Sequence, residues 1–333
     1  MSMDMILEQN KIFPYFEQLP REMSSMIVGE MAGIDRCRFS GCSRMSNAEA
    51  KADKNYVAGL EINGFQAHFI EIKVIHGYEQ LDRHGYSLEF HEKDGKKYME
   101  CRGMYAEKLW LDDLEPSTNL VNHACKYFKN LLKMHQNSIK KLWIYANVFE
   151  KDFDFGIRRL KNLKELGIEA RFLEQFLPKL RHPLEDLRLY GKMYSECLES
   201  DKAMYQVTHR LYAPYAKFNM EQTLQLAAKY VCLDIGKLTE KVITIFVRSW
   251  MYGSTTHFQQ LSWNLINSTF NTRILIEYLG LLGARKHENG WAELMHDTDA
   301  TKKLLIFAQN NSLTLEWREN DTIEDKSINI LYS

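Results

Sequence analysis

A chain of 333 residues with 45% hydrophobic and 26% charged side chains is long enough to bury a sizeable core and too apolar to remain a disordered polymer. Its 43 basic and 44 acidic residues leave a formal charge of −1, which speaks against a nucleic-acid surface, since that usually needs a basic domain or stripe. No stretch approaches the ~18 consecutive apolar residues of a membrane span, and Asp4 and Glu8 stand where a secretory signal would carry basic residues, so the expectation is a soluble protein of the cytoplasm or nucleus with no membrane partner.

The first patterned stretch, residues 19–45, reads LPREMSSMIVGEMAGIDRCRFSGCSRM. Pro20 suits the first turn of a helix because its missing N–H would be unsatisfied there anyway, and Gly33 supplies a stop. Met23, Ile27 and Met31 then share a face. After a turn around Asp35, Cys37 to Ser43 continues the apolar thread, and Ser46-Asn47-Ala48-Glu49 forms a capping box for a third short helix through Lys51 and Asp53. The arrangement of Leu19, Pro20, Glu22, Ile27, Met31, Asp35 and Cys42-Ser43-Arg44 resembles an F-box, with methionines at positions 23, 26 and 31 where leucine is commoner. It looks most like the nematode F-box proteins that carry an F-box-associated domain. The resemblance implies an F-box-like helical module over 11–55 that docks to a Skp-type adaptor, and through it to a cullin, by Leu19, Pro20, Met23, Ile27, Met31, Phe39 and Met45. Without the resemblance, the same stretch reads as a helical cap on its own domain.

From residue 56 to 118 the pattern changes to strands. Apolar and polar residues alternate in Leu60-Glu61-Ile62, in Phe69-Ile70-Glu71-Ile72-Lys73-Val74 and in Tyr86-Ser87-Leu88-Glu89-Phe90. Asp94-Gly95 between two such runs predicts a hairpin with a two-residue turn, and Leu109-Trp110-Leu111 can add a strand.

Helical spacing returns over Asn119 to His135, followed by a strand at Leu142-Trp143-Ile144. Similar Leu-x-apolar segments recur at Leu166, Leu187, Leu211, Leu233 and Leu261, with leucines 24, 21, 24, 22 and 28 residues apart. That period is expected of leucine-rich repeats, where strand-plus-helix units stack to bury a shared core. Intervening helices are predicted at Phe172 to Leu180, at Asn219 to Ala228, where Asn219 and Gln222 make a capping box, and from Thr239 to a Gly253 stop. In the last, Val242, Ile243, Phe246, Val247, Trp250 and Met251 fall in two adjacent rows, and Trp250 is assigned to the core. The segment around Trp250 also resembles the C-terminal part of F-box-associated domains. Leu313 to Trp317 and Ile328 to Leu331 would close the end as strands. The expected fold is therefore α+β: a small three-helix F-box, a β-rich segment, then a degenerate leucine-rich-repeat-like α/β solenoid, residues 56–333 forming one recognition domain divided at 118/119.

Motifs for nucleotide, zinc or serine-hydrolase chemistry are absent from the sequence. His68, His76, His84 and His91 are spaced to fall apart on strands, and the six cysteines are scattered as reduced thiols, so no catalytic residue, metal or cofactor is assigned. The expected role is a ligase substrate receptor that is not itself an enzyme. Its target protein would meet the residues just after each strand core, Tyr145, Glu169 and Tyr190. A ligase-independent protein-binding scaffold is the alternative.

Overall fold

Asp94 and Gly95 adopt left-handed backbone angles, φ 54° and 74°, and turn β3 (His84–Lys93) into β4 (Lys96–Gly103). Positive φ at both central positions matches the right-handed twist of the flanking strands, so the dipeptide predicted from sequence makes the hairpin. The computed structural model describes Met23 and residues 57–66, 68–76, 84–103, 108–147, 149–150, 152–191, 206–218, 220–234, 239–252, 257–264, 271–287, 291–297, 299, 301–309 and 312–319. The chain divides into two compact units, Met1–Glu165 with Phe172–His182, and Leu166–Arg171 with Pro183–Ser333.

In the first unit, β1 (Val57–Gln66), β2 (Phe69–His76), β3, β4 and β5 (Lys108–Leu114) run as an antiparallel meander, and β6 (Lys141–Ala146) joins β1 in parallel. Helix α1 (Leu120–His135) starts where the Asn119 side chain accepts a hydrogen bond from the Asn122 N–H at 3.0 Å. Capping satisfies one of the orphan donors of the first turn. The helix turns Ala124, Phe128, Leu131 and Leu132 inward and lies on β1, β2 and β3, whose inward positions Ile62, Ile70, Ile72, Leu88 and Phe90 are fully buried. Each such side chain contributes about 1.5–3 kcal/mol of burial energy. The edge of this core is aromatic: Phe155 lies 5.0 Å from Phe149, 5.4 Å from Phe172 and 5.2 Å from Phe176 between ring centroids.

In the second unit, β8 (Asp186–Tyr190), β9 (Arg210–Lys217), β10 (Tyr230–Asp234) and β11 (Gln260–Asn264) are successive parallel neighbours. β7 (Glu165–Glu169) precedes them and all but its first residue belongs here. Beyond β11 the sheet turns antiparallel, through β15 (Ser312–Glu319), β14 (Lys302–Gln309), β13 (Trp291–Met295) and β12 (Arg285–Lys286). Helix α4 (Glu240–Met251), capped by the Thr239 hydroxyl on the Val242 N–H, buries Ile243, Phe246, Val247 and Trp250. Helices α3 (Met220–Leu224) and α5 (Thr272–Leu281) complete the unit, and α2 (Leu173–Phe176) belongs to the first.

The expected architecture is corrected. Mixed β-sheet of fifteen strands with five α-helices makes up the described chain, rather than a helical F-box followed by a repeat solenoid. The spaced leucines do sit in strands, but β1 takes β6 in parallel on one side and β2 antiparallel on the other. In the same way β11 pairs in parallel with β10 and antiparallel with β15. The leucine spacing is silent on the strands outside its own series, and it is these that add antiparallel neighbours. The connecting helices also fall short of a repeat unit. α2 and α3 have only 4 and 5 residues. Pro178 ends the helix expected over Phe172 to Leu180 after α2, leaving a 3₁₀ turn at Leu177–Lys179, since it has no N–H for the carbonyl four residues back; a second 3₁₀ turn, Ala170–Phe172, precedes α2. The helix expected through Ala228 stops at Leu224. Of the module placed at 11–55, only Met23 lies among the described residues, in helical conformation; Asn219, Gly253 and residues 328–331 lie outside them.

Candidate protein-binding face

Period-two alternation divides each sheet into an aliphatic face and a polar, aromatic one. In the second unit, register aligns Arg188 with Tyr212, Tyr212 with Cys232 and Cys232 with Ser262. The row continues through Thr314 and Phe307 to Trp291. Between Tyr212 and Trp291 it carries no formal charge, its residues being Tyr, Cys, Ser, Thr, Phe and Trp. Ser262 Oγ and Thr314 Oγ1 stand 3.1 Å apart and hydrogen-bond to each other. The Trp291 ring is stacked on His287 at 3.5 Å and on Phe307 at 6.0 Å.

The adjoining row is ionic. Asp186 faces Arg210 at 3.8 Å, and Glu316 holds Arg318 at 2.7 Å. Arg210 also lies 5.8 Å from the Tyr230 ring centroid, within cation–π range. An uncharged row that begins at Tyr212, ends at Phe307 and Trp291 and has charged pairs alongside carries the aromatic residues that are enriched at protein interfaces.

The first unit's open face is different in character. Glu71, Glu89 and Glu100 are directly opposite one another across β2, β3 and β4, a like-charge row that needs cations to stand. Lys73 pairs with Glu71 at 3.2 Å, and Arg102 bridges Glu89 at 3.2 Å and Glu100 at 3.1 Å. His91 approaches Glu100 at 3.4 Å. At the β6 edge, the Lys141 ammonium sits 3.9 Å over the Trp143 ring, and Tyr145 meets that ring edge-on at 5.5 Å.

All three residues expected to meet a target are half-buried on the polar side of their strands. Glu169, which pairs with Arg171 at 2.8 Å, reaches the end of β8, where a Cβ added at Gly191 would stand 3.4 Å from its Cγ. Tyr190 on that strand has the Tyr212 ring 6.5 Å away. The structure thus brings Glu169 and Tyr190 together in the second unit, while Tyr145 belongs to the first. Sequence reading missed the row from Tyr212 to Trp291. The signal was present as alternation, but only the residue after each strand core was taken. Of the residues expected to face an adaptor, Met23 is 51% exposed, and Leu19, Pro20, Ile27, Met31, Phe39 and Met45 lie outside the described residues.

Among the described residues no three His, Cys, Asp or Glu side chains gather as a metal site, and no helix is long and apolar enough to cross a membrane. His76 and His84 are register partners on β2 and β3, whereas His91 pairs with Phe69. No protein-family model matches the chain, and neither a curated protein nor a solved structure does.

Proposed function

We propose that this chain is the substrate-receptor subunit of a Skp–cullin–F-box type ubiquitin ligase, in which residues 19–45 bind the Skp adaptor and the open sheet face of the second unit holds the target protein. The chain itself catalyses nothing in this reading; it positions a bound protein for ubiquitin transfer by other subunits, in the cytoplasm or nucleus. The observation that carries target binding is the uncharged row from Tyr212 to Trp291 bordered by the Asp186–Arg210 and Glu316–Arg318 pairs. Adaptor binding is supported by the F-box-like order of Leu19, Pro20, Glu22, Ile27, Met31 and Asp35.

The test is co-purification of the full chain with a Skp-type adaptor beside a Pro20→Ala/Ile27→Asp variant of unchanged circular dichroism and thermal midpoint. The receptor reading expects the wild type to retain the adaptor and the variant to lose it. Failure of the wild type to bind removes the ligase and leaves a scaffold that uses the sheet face alone.

A further inference from the structure

Ten large hydrophobic side chains are exposed among the described residues, and five of them lie on or directly after two neighbouring helices, α4 and α5. On α4, Ile245 is 54% exposed and the following Tyr252 68%; on α5, Ile274, Tyr278 and Leu281 are 41%, 45% and 82% exposed. The helices are anchored on their other sides, α4 by Ile243, Phe246, Val247 and Trp250 and α5 by Leu275 and Leu279. Their outer faces therefore display apolar groups that the unit's own core does not use.

The exposed charges on these faces are mostly positive. Lys241 and Arg248 are exposed on α4, Arg273 on α5, and Arg285 and Lys286 on the β12 strand that follows; in the described part of 239–287 the exposed acid is Glu277 alone, and it is tied to Arg273 at 3.3 Å. Glu240, half-buried, is engaged by the Asn271 N–H. A chain of formal charge −1 has thus concentrated cations around an apolar surface. The spacing is regular as well. Lys241, Ile245, Arg248 and Tyr252 follow one another by four, three and four residues on the outer side of α4, and Ile274, Tyr278 and Leu281 by four and three on α5. Residues so spaced form a single column on a helix, and a facing helix with the same repeat meets such columns residue by residue. A lipid headgroup surface is indifferent to that register.

We infer that the outer face of α4 and α5 docks an amphipathic helix of a partner protein whose apolar residues pack on Ile245, Tyr252, Tyr278 and Leu281 and whose glutamates or aspartates meet Lys241, Arg248 and Arg273. This surface is separate from residues 19–45 and from the sheet face, and does not depend on the ligase reading.

The experiment titrates the full chain into a labelled synthetic peptide of about four helical turns, with leucines every three or four residues on one face and glutamates flanking them, and into a counterpart with lysine at every glutamate position. Vesicles of phosphatidylcholine with phosphatidylserine form the second arm. The expected result is that the acidic peptide binds at least about tenfold more tightly than the basic one, with the preference collapsing at high salt. Arg248→Glu and Leu281→Ser, each at an exposed position and checked for an unchanged thermal midpoint, should each weaken binding about tenfold, with Lys241→Glu as the replacement should either fail to fold. Equal binding of the two peptides, no binding of either, no loss in the variants, or binding to the vesicles but not to the acidic peptide overturns the proposal.

Discussion

Two shielded thiols, the buried Cys125 and the half-buried Cys232, make the fold sensitive to high pH. Burial pushes Cys232 up to about 12, and burial followed by the charge of Glu150 pushes Cys125 up to about 11. An unfolded cysteine ionises near ~8.5, so the unfolded chain gives up these protons first as pH rises. The stability the two thiols contribute is therefore whole below that value and is lost as pH climbs toward the folded ones. Urea midpoints should fall between pH 8 and pH ~10.5, and the fall should be shallower in a Cys125→Ala/Cys232→Ala variant; equal slopes would contradict the assignment. Asp299 shows the opposite sign. Hydrogen bonds from the Thr301 side chain, then from Lys302, pull its carboxyl down to about 2. Its contribution is present above the unfolded aspartate range near ~3.9 and disappears as pH drops through the folded value, and a carboxyl NMR titration of Asp299 should show that low midpoint. Trp250, which the sequence placed in the core, is 1% exposed and stands 5.0 Å from His296 and 6.4 Å from Trp317. Trp250→Ala should cost about 3–5 kcal/mol in urea unfolding.

Local chemistry made some elements legible and left others hidden. The β3–β4 hairpin and α1 were read at nearly their observed bounds because their signals are short-range, Asp94-Gly95 in one case and 3.6-residue spacing in the other. Gly95 has nothing within 4 Å of a built Cβ, so Gly95→Ala meets only the left-handed backbone penalty and should cost about 1–2 kcal/mol. Thr239 is the corresponding test on α4: its hydroxyl accepts from the Val242 N–H at 3.3 Å, and Thr239→Ala should cost about 1 kcal/mol. By contrast, the segment from Phe172 to Leu180 carries five apolar residues at helical spacing, Phe172, Leu173, Phe176, Leu177 and Leu180, yet forms a single α-turn, because Pro178 denies the backbone bond that a longer helix needs. Gly156 was passed over in sequence. Its φ of 64° and a built Cβ 2.5 Å from Lys133 Cε mark it as a position no other residue fits without displacement.

At the scale of the molecule, sequence pattern located the strands and, from β8 to β11, their parallel order, but not the antiparallel pairing that extends the sheet beyond them. Leucines at 142, 166, 187, 211, 233 and 261 fall in six strands, but the antiparallel neighbours depend on connections that the spacing does not encode, and the mixed sheet follows from those connections. The candidate face was half legible for a related reason. Alternation gives the side of the strand on which Glu169 and Tyr190 stand, while the row linking Tyr212, Cys232, Ser262, Thr314, Phe307 and Trp291 exists only once antiparallel β15, β14 and β13 are set beside β11. Tyr212→Ala and Phe307→Ala, both half-buried on that face, should lower target affinity about tenfold or more if they are anchors of the interface, with adaptor binding unchanged. The receptor account requires two binding surfaces in one chain, and the first of them can be weighed directly. Light scattering of the full chain mixed with a Skp-type adaptor should give one species with the summed mass of both proteins; two peaks at the separate masses would contradict the account and return the chain to a scaffold outside the ligase.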